Sequence, residues 1–388
     1  MKIVTIVGAR PQFIKAVPVS RAIRKYNQEG RGSQITEIMV HTGQHYDYGM
    51  SQVFFEELGI SEPHVNLGVG SGSHGWQTAQ MLMQIEELLL AEKPDWVIVY
   101  GDTNSTVAGA LAAVKLQIPL AHVEAGLRSF NREMPEEHNR VLTDHCSDLL
   151  FCPTQTAVQN LQKEGFSNIV NNGQLVDTCF NRSPITDHGP LVVNVGDTMY
   201  DAVLQFSEIA CQRSTVLQDL GVKSKGYLLA TVHRPYNTDI PENLRNILTA
   251  FLEIGEPVIF PIHPRTRQRI AALDGLFKSQ LENCNVEFLD PVGYLDMLVL
   301  ERNARLILTD SGGMQKEAYF FGVPCVTLRP ETEWIETVQA GWNVVVGTEP
   351  SLIIDKALNM QPPQSERGAF GDGYAGERIL HTLKNSLP

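Results

Sequence analysis

Lys2-Ile3-Val4-Thr5-Ile6-Val7-Gly8-Ala9-Arg10-Pro11-Gln12-Phe13-Ile14-Lys15 decides the architecture. Residues Ile3 to Val7 are all β-branched, which suits a strand buried on both faces of a sheet. Gly8 turns the chain, and Pro11 suits the first turn of the helix that follows. The same strand, turn and helix pattern recurs along the chain. Strands are expected near residues 36–41, 96–100, 119–123, 149–152 and 191–195, and helices near 12–27, 75–92, 104–116 and 135–146. In the 75–92 helix Ala79, Met83, Ile85, Leu89 and Leu90 lie near helical spacing, and Pro94 stops it before Trp96-Val97-Ile98-Val99. The pattern restarts at Tyr227-Leu228-Leu229-Ala230-Thr231-Val232, with further strands near 257–261, 286–289, 305–309 and 324–328. The expected class is therefore α/β, with two Rossmann-like doubly wound domains and a cleft between them. The expected domains are residues 1–200 and 201–372, and the final helix, about 373–385, is expected to return to the first. Residues 171–190, with their NNGQ, NRSP and DHGP turns, read as an excursion loop.

A chain of 388 residues is long for one core and comfortable for two. Its 43% hydrophobic and 19% charged residues are ordinary for a globular protein, and no run of about twenty apolar residues offers a membrane span. The N-terminus reads as a strand rather than a signal peptide, so a cytoplasmic enzyme is expected. The net charge of -13 argues against a nucleic acid or an anionic membrane as partner, so any anionic ligand must be held locally. Six cysteines without a CxxC pair read as reduced structural residues.

Open α/β sheets bind ligands at the carboxyl ends of their strands, so chemistry is sought there. Arg10 and Lys15 flank a helix N-terminus that could face an anion, although a capped helix with two surface bases explains the same residues. Asp102, after the 96–100 strand, is either a helix N-cap or a catalytic carboxylate. Glu124 stands at a strand end beside Gly126, and Glu136, Glu137 and Arg140 open the 135–146 helix, where acids also suit the helix dipole. Carboxylates converging on one sheet end can differ in protonation and divide acid and base work. His233 and His263 each end a strand. Thr309-Asp310-Ser311-Gly312-Gly313 then leads into a helix, where Ser311 and backbone N–H groups can cradle a phosphate and Glu317 can accept both ribose hydroxyls. His41 and His45 are four apart but leave a strand through Gly43 without helical or acidic context, so no metal site is expected. No cofactor is called for.

Taken together, Gly8-Ala9-Arg10-Pro11, His41-Thr42-Gly43-Gln44-His45, Gly101-Asp102-Thr103, His122-Val123-Glu124-Ala125-Gly126-Leu127-Arg128, Pro135-Glu136-Glu137, His233-Arg234 and Thr309-Asp310-Ser311-Gly312-Gly313 resemble the non-hydrolysing UDP-N-acetylglucosamine 2-epimerases, which have the two-domain GT-B fold. The resemblance implies catalytic roles for Asp102, Glu124, Glu136 and His233. It implies UDP-sugar contacts at Arg10, Lys15, Arg140, His233, Ser311, Gly312, Gly313 and Glu317. It also implies a second, activating nucleotide-sugar site at Gln44, His45 and Glu137. A UDP-sugar substrate and a homodimer are the expected partners. Gln12 in place of the usual Glu, and Thr332-Glu333-Trp334-Ile335-Glu336 in place of Thr-Glu-Arg-Pro-Glu, look more like the branch acting on UDP-2,3-diacetamido-2,3-dideoxyglucuronate.

The implied reaction takes UDP-N-acetylglucosamine to its manno epimer. UDP leaves carbon 1 while a carboxylate removes the carbon-2 proton, and the resulting 2-acetamidoglucal is reprotonated on the other face before UDP adds back. A hydrolysing 2-epimerase, a GT-B glycosyltransferase and a non-catalytic nucleotide-sugar sensor are the competing readings.

Overall fold

The computed structural model describes residues 1–30, 32–43, 62–170, 189–282 and 284–386. Gln44, His45 and nearly all of the expected 171–190 loop lie outside them. The chain divides into two compact units, the first comprising Met1–Leu204 with Gly368–Pro388 and the second Gln205–Arg367.

In the first unit the strands are β1 (Lys2–Val7), β2 (Thr36–His41), β3 (Val65–Asn66), β4 (Trp96–Tyr100), β5 (Leu120–Val123), β6 (Leu149–Cys152), β7 (Ile169–Val170) and β8 (Leu191–Asn194). They form a parallel sheet in the order β3-β2-β1-β4-β5-β6-β8-β7. The chain leaves β1 towards β2 on one side and later places β4 on the other, so the order reverses between β1 and β4. Adjacent crossovers run to opposite faces at such a point and open a crevice at the strands' carboxyl ends. Val4, Ile6, Val97 and Val99 share a core with Met81, Ile85 and Leu89 of helix His74–Glu92 and Ala108 and Ala112 of helix Asn104–Lys115. The His74–Glu92 helix is as expected, but its inward face is narrower than the sequence suggests. Gln77, Met81, Ile85 and Leu89 are buried at four-residue spacing, while Met83 and Leu90 are 58% and 57% exposed.

The last helix, Ala375–Asn385, belongs to the first unit. Gly376 lies so close to helix Arg10–Glu29 that a Cβ on it would meet the Pro18 carbonyl carbon at 2.6 Å. Asp201 accepts the Gly376 N–H at 2.9 Å, and Lys25 pairs with Glu377 at 2.8 Å.

The second unit contains β9 (Leu228–Thr231), β10 (Val258–Pro261), β11 (Val286–Leu289), β12 (Leu306–Thr309), β13 (Cys325–Thr327) and β14 (Asn343–Val345). They are parallel in the order β11-β10-β9-β12-β13-β14, with the reversal between β9 and β12. Leu228, Ala230, Phe260, Leu306 and Leu308 form the sheet side of a core closed by Leu248, Phe251 and Ile353.

Candidate active site

At the β1/β4 reversal the backbone is locked by side chains rather than by a glycine-rich fingerprint. A Cβ on Gly8 would stand 1.9 Å from Ser105 Oγ, so only glycine lets β1 meet helix Asn104–Lys115 at this distance. Buried Gln12 uses both ends of its amide. Its Oε1 accepts the N–H groups of Gly8 at 2.7 Å and Ala9 at 3.0 Å. Its Nε2 donates to the Tyr100 carbonyl at 2.6 Å and to Thr106 Oγ1 at 3.0 Å. The turn after β1 is thereby tied to the end of β4. Arg10 is exposed at the helix N-terminus. Lys15, on the next turn, pairs with Glu124 at the end of β5.

Asp102 and Glu124 follow adjacent strands whose ends are in register, Tyr100 opposite Val123. A Cβ on Gly101 would lie 3.2 Å from Glu124 Oε2 and 3.4 Å from Lys15 Nζ, and its φ of +63° is itself a glycine conformation. Glu124 holds φ +74°, an unusual conformation for a residue with a side chain, and one associated with functional sites. Arg140 donates to Asp102 Oδ2 at 2.5 Å and to Glu137 Oε2 at 3.1 Å. Glu137 also accepts the N–H groups of Ser129 and Phe130, each at 2.9 Å, and the Ser129 hydroxyl at 2.8 Å. Its oxygens thus hold the 129–130 turn and steer Arg140. Glu136 precedes it in helix Pro135–Cys146, half-buried, with no side-chain hydrogen bond or ion pair among the described residues. Three acids therefore stand in three settings: one on an arginine, one on a lysine and one with its lone pairs uncommitted.

Beneath them lies a buried polar network. His122 faces Asp144 through Nδ1 and the Gly101 carbonyl through Nε2, both at 2.7 Å. Arg128 joins Asp144 at 2.7 Å to Glu164 at 2.7 Å. Burial alone would raise the Asp144 carboxyl, but His122 and Arg128 outweigh it and hold it below the usual value. The network fixes the Gly101 carbonyl, and hence the peptide that aims Asp102.

The second unit repeats the logic. Asp310, fully buried after β12, accepts the N–H groups of His233 at 3.0 Å and Arg234 at 2.9 Å and the Asn237 amide at 3.0 Å. One carboxylate so staples the ends of β9 and β12 at the reversal. The His233 side chain is 43% open to solvent. Desolvation holds its basicity below the ordinary histidine value, Arg234 and His263 act in the same direction, and Asp310 opposes them. Ser311 caps helix Gly312–Phe321 by accepting the Met314 N–H at 3.4 Å. The N–H groups of Gly312 and Gly313 remain the orphan donors of the first turn, suited to an anion. A Cβ on Gly312 would meet Glu333 Oε1 at 2.5 Å, so glycine lets the 332–334 segment close over this turn. Glu333 is held by Arg329 at 3.0 Å, and the Trp334 ring lies under the Lys316 ammonium at 4.1 Å. Glu317 is buried on the same helix.

In the first unit the structure pairs Lys15 with Glu124 and joins Asp102 and Glu137 through Arg140, the two sets following adjacent strand ends, while Arg10 and Glu136 stand in the first turns of their helices. In the second it gathers His233, Ser311, Gly312, Gly313 and Glu317 around the β9/β12 reversal. Gln12, His122, Asp144 and Asp310 were not among the expected site residues. The sequence carries a signal for His122 and Asp310, polar residues in or just after the apolar strand runs 120–123 and 306–309; Gln12 and Asp144 lie in helices among other polar residues and carry none of that kind.

A family model described as UDP-N-acetylglucosamine 2-epimerase matches residues 28–384. The chain is 52% identical to a UDP-N-acetylglucosamine 2-epimerase homolog of Methanococcus maripaludis, over 99% of this chain and 100% of that one. It is 49% identical to the UDP-2,3-diacetamido-2,3-dideoxy-D-glucuronate 2-epimerase of Pseudomonas aeruginosa, over 99% of each. The crystal structure of Methanocaldococcus jannaschii UDP-GlcNAc 2-epimerase in complex with UDP-GlcNAc and UDP matches with a TM-score of 0.84 and 44% identity, covering 99% of each chain.

Proposed function

Because the chain belongs to the UDP-N-acetylglucosamine 2-epimerase family, we propose that it inverts carbon 2 of UDP-N-acetylglucosamine to give UDP-N-acetylmannosamine without releasing free sugar. The observation that carries the reading is the different setting of three acids in the first unit: Asp102 on Arg140, Glu124 on Lys15 at the adjacent strand end, and Glu136 on helix Pro135–Cys146 with no side-chain partner among the described residues. The carbon-2 proton is not next to a carbonyl, so its removal must be coupled to departure of UDP from carbon 1. Asp102 and Glu136 transfer protons on the two faces of the sugar, with Glu124 supporting them. Glu136 is suited to act as base because among the described residues no neighbour holds its lone pairs. The elimination gives UDP and a 2-acetamidoglucal, and return of a proton to the opposite face with re-addition of UDP completes the inversion.

Departing diphosphate needs positive charge and donors. In the second unit His233 with the Gly312 and Gly313 N–H groups supplies donors, and in the first unit Arg10, Lys15 and Arg140 beside the β1 turn supply positive charge. Charge-assisted hydrogen bonds contribute about 1.5 to 3 kcal/mol each, and about 1.4 kcal/mol corresponds to a tenfold rate. Two such bonds strengthened in the transition state suffice for several powers of ten. Glu317 accepts the ribose hydroxyls. The enzyme works as a homodimer, a reading supported by Trp76, Met83 and Leu90, a seven-residue repeat of exposed apolar side chains along one helix.

A second reading of the sugar, UDP-2,3-diacetamido-2,3-dideoxyglucuronate, is favoured by the 49% identity to the Pseudomonas enzyme and by Gln12 and Trp334. Incubation with each nucleotide sugar separately, followed by proton NMR of the anomeric region, decides between them. A manno anomeric signal that grows to a constant ratio names the substrate. Free N-acetylmannosamine and UDP as the products would refute the non-hydrolysing reading.

A further inference from the structure

Asp102 and Glu124 stand on turns after different strands, yet one buried carboxylate reaches both turns. Asp144, on helix Pro135–Cys146, directs Oδ1 at His122 Nδ1 and uses Oδ2 to accept the Gly126 N–H at 3.1 Å and Arg128 Nη1 at 2.7 Å. A carbonyl oxygen can only accept, so His122 Nε2 donates to Gly101, the residue before Asp102, at 2.7 Å. Gly126 lies two residues past Glu124, and Asn160 on helix Gln155–Lys163 donates to its carbonyl at 3.0 Å, so the peptides on both sides of Gly126 are held. The turn has no slack, since a Cβ on Gly126 would meet the Ala157 carbonyl oxygen at 2.4 Å. Glu124 itself holds φ +74°, a conformation that persists only where its surroundings over-determine it. Arg128 is fixed in turn, with Nε and Nη2 on the two oxygens of Glu164, both at 2.7 Å. His122 and Asp144 are each 0% exposed, so neither can meet a substrate, and whatever they do for the reaction passes through the two turns.

We propose that Asp144 is a positioning residue for both acids: through His122 it sets the Gly101 carbonyl and the peptide leading to Asp102, and through the Gly126 N–H it sets the turn carrying Glu124. The two carboxylates thereby keep a fixed relative placement. The inference rests on the reading of Asp102 and Glu124 as acids of the reaction. Arg140 and Lys15 pair with the side chains of these acids, whereas Asp144 ties together the backbones that carry them. The position requires hydrogen-bond geometry rather than charge. Asp144→Asn can keep its oxygen on Gly126 and Arg128 and turn its amide to His122 Nδ1, which leaves the Nε2 hydrogen on Gly101. Asp144→Ala removes all three contacts.

Steady-state epimerisation of whichever of the two nucleotide sugars turns over, followed by NMR, and calorimetric titration of UDP test this. The variants are Asp144→Ala, Asp144→Asn, His122→Phe, Asp102→Asn and the double variant His122→Phe/Asp102→Asn. A misplacement of about 1 Å in reacting groups costs on the order of 10²-fold, so Asp144→Ala and His122→Phe should lower kcat by roughly 10- to 100-fold. Their UDP affinity should stay within about threefold of wild type, and Asp144→Asn should keep kcat within about fivefold. Because His122 acts through Asp102, His122→Phe in the Asp102→Asn background should cost less than about threefold, a non-additivity that loss of stability alone would not produce. Wild-type kcat in Asp102→Asn refutes the acid reading and this inference with it. A reduced kcat in Asp102→Asn, with wild-type kcat in Asp144→Ala and His122→Phe, overturns the inference alone. So does a loss from His122→Phe that is equally large in both backgrounds, or a loss in Asp144→Asn as deep as in Asp144→Ala. His122→Phe fills the buried site, so the Asp102 arm is tested even where Asp144→Ala does not fold.

Discussion

Replacing Gln12 with Glu keeps the shape of the side chain and changes one donor into an acceptor. In the native protein Oε1 accepts two backbone N–H groups, and Nε2, buried, donates to the Tyr100 carbonyl at 2.6 Å and to Thr106 at 3.0 Å. The ionised carboxylate of Gln12→Glu would set an oxygen against the Tyr100 carbonyl, and the Thr106 hydroxyl could answer it only by giving up its own bond to that carbonyl at 2.7 Å. Protonating the introduced carboxylate restores the donor. The folded variant therefore retains this proton to a higher pH than its unfolded chain, which releases it near about pH 4.3. Between the two values the folded state binds more protons, so stability falls as pH rises. For a shift of about two units the penalty is about 1 kcal/mol at about pH 5 and about 3 kcal/mol at about pH 8. Urea midpoints of Gln12→Glu and wild type at both pH values measure it. Gln12→Met, which loses every bond without gaining a charge, should show a penalty that does not change with pH. An equal penalty for Gln12→Glu at the two pH values would refute the hydrogen-bond assignment.

Asp102→Asn should lower kcat by roughly 10² to 10⁴, while UDP affinity changes by no more than a few-fold; a loss in KM alone would count against Asp102 as a proton carrier. Gly312→Ala drives a methyl group to 2.5 Å from Glu333, which Arg329 holds at 3.0 Å, so the 332–334 segment must shift and UDP should bind roughly tenfold more weakly, about 1.4 kcal/mol by calorimetry. Asp201 is raised to about 7 by burial, against the N–H groups of Gly376 and Ala375. Its contribution becomes less favourable as pH climbs from about 4 to about 7, because the folded state keeps a proton that the unfolded chain has released. Asp201→Asn retains an acceptor for Gly376, so its stability relative to wild type should improve by up to about 2 kcal/mol between about pH 5 and about pH 8 in urea unfolding.

The β-branched run Ile3 to Val7 and the strands at 96–100, 149–152 and 228–231 were legible because buried parallel strands need continuous apolar stretches. The two-residue β3 and β7 and the three-residue β14 were not, since pieces so short have no period to read and exist only because a longer neighbour offers them a ladder. The helix His74–Glu92 was legible, but its inward face was not. Met83 and Leu90 are apolar and exposed, and hydrophobicity alone cannot separate a core face from a surface stripe. The candidate acids were visible as strand-end residues. Their partners were not: Lys15 and Glu124 are 109 positions apart, and Arg140 and Asp102 are 38 apart. Glu137 looked like one more site acid, and only the structure assigns its oxygens to Ser129, Phe130 and Arg140. Gln12 stood out in the sequence merely as a departure from Glu, because the carbonyl it serves comes from Tyr100, a residue distant in the chain.

The central claim is proton transfer at carbon 2 coupled to departure of UDP. Its most direct measurement follows UDP-N-acetylglucosamine in deuterated water by NMR, with mass spectrometry of the intact nucleotide sugar. The account predicts one deuterium at carbon 2 of a sugar still bonded to UDP, in both epimers at equilibrium, and no incorporation with Asp102→Asn. Epimerisation that proceeds with the carbon-2 hydrogen fully retained from the substrate, or binding without any exchange at that carbon, would contradict it.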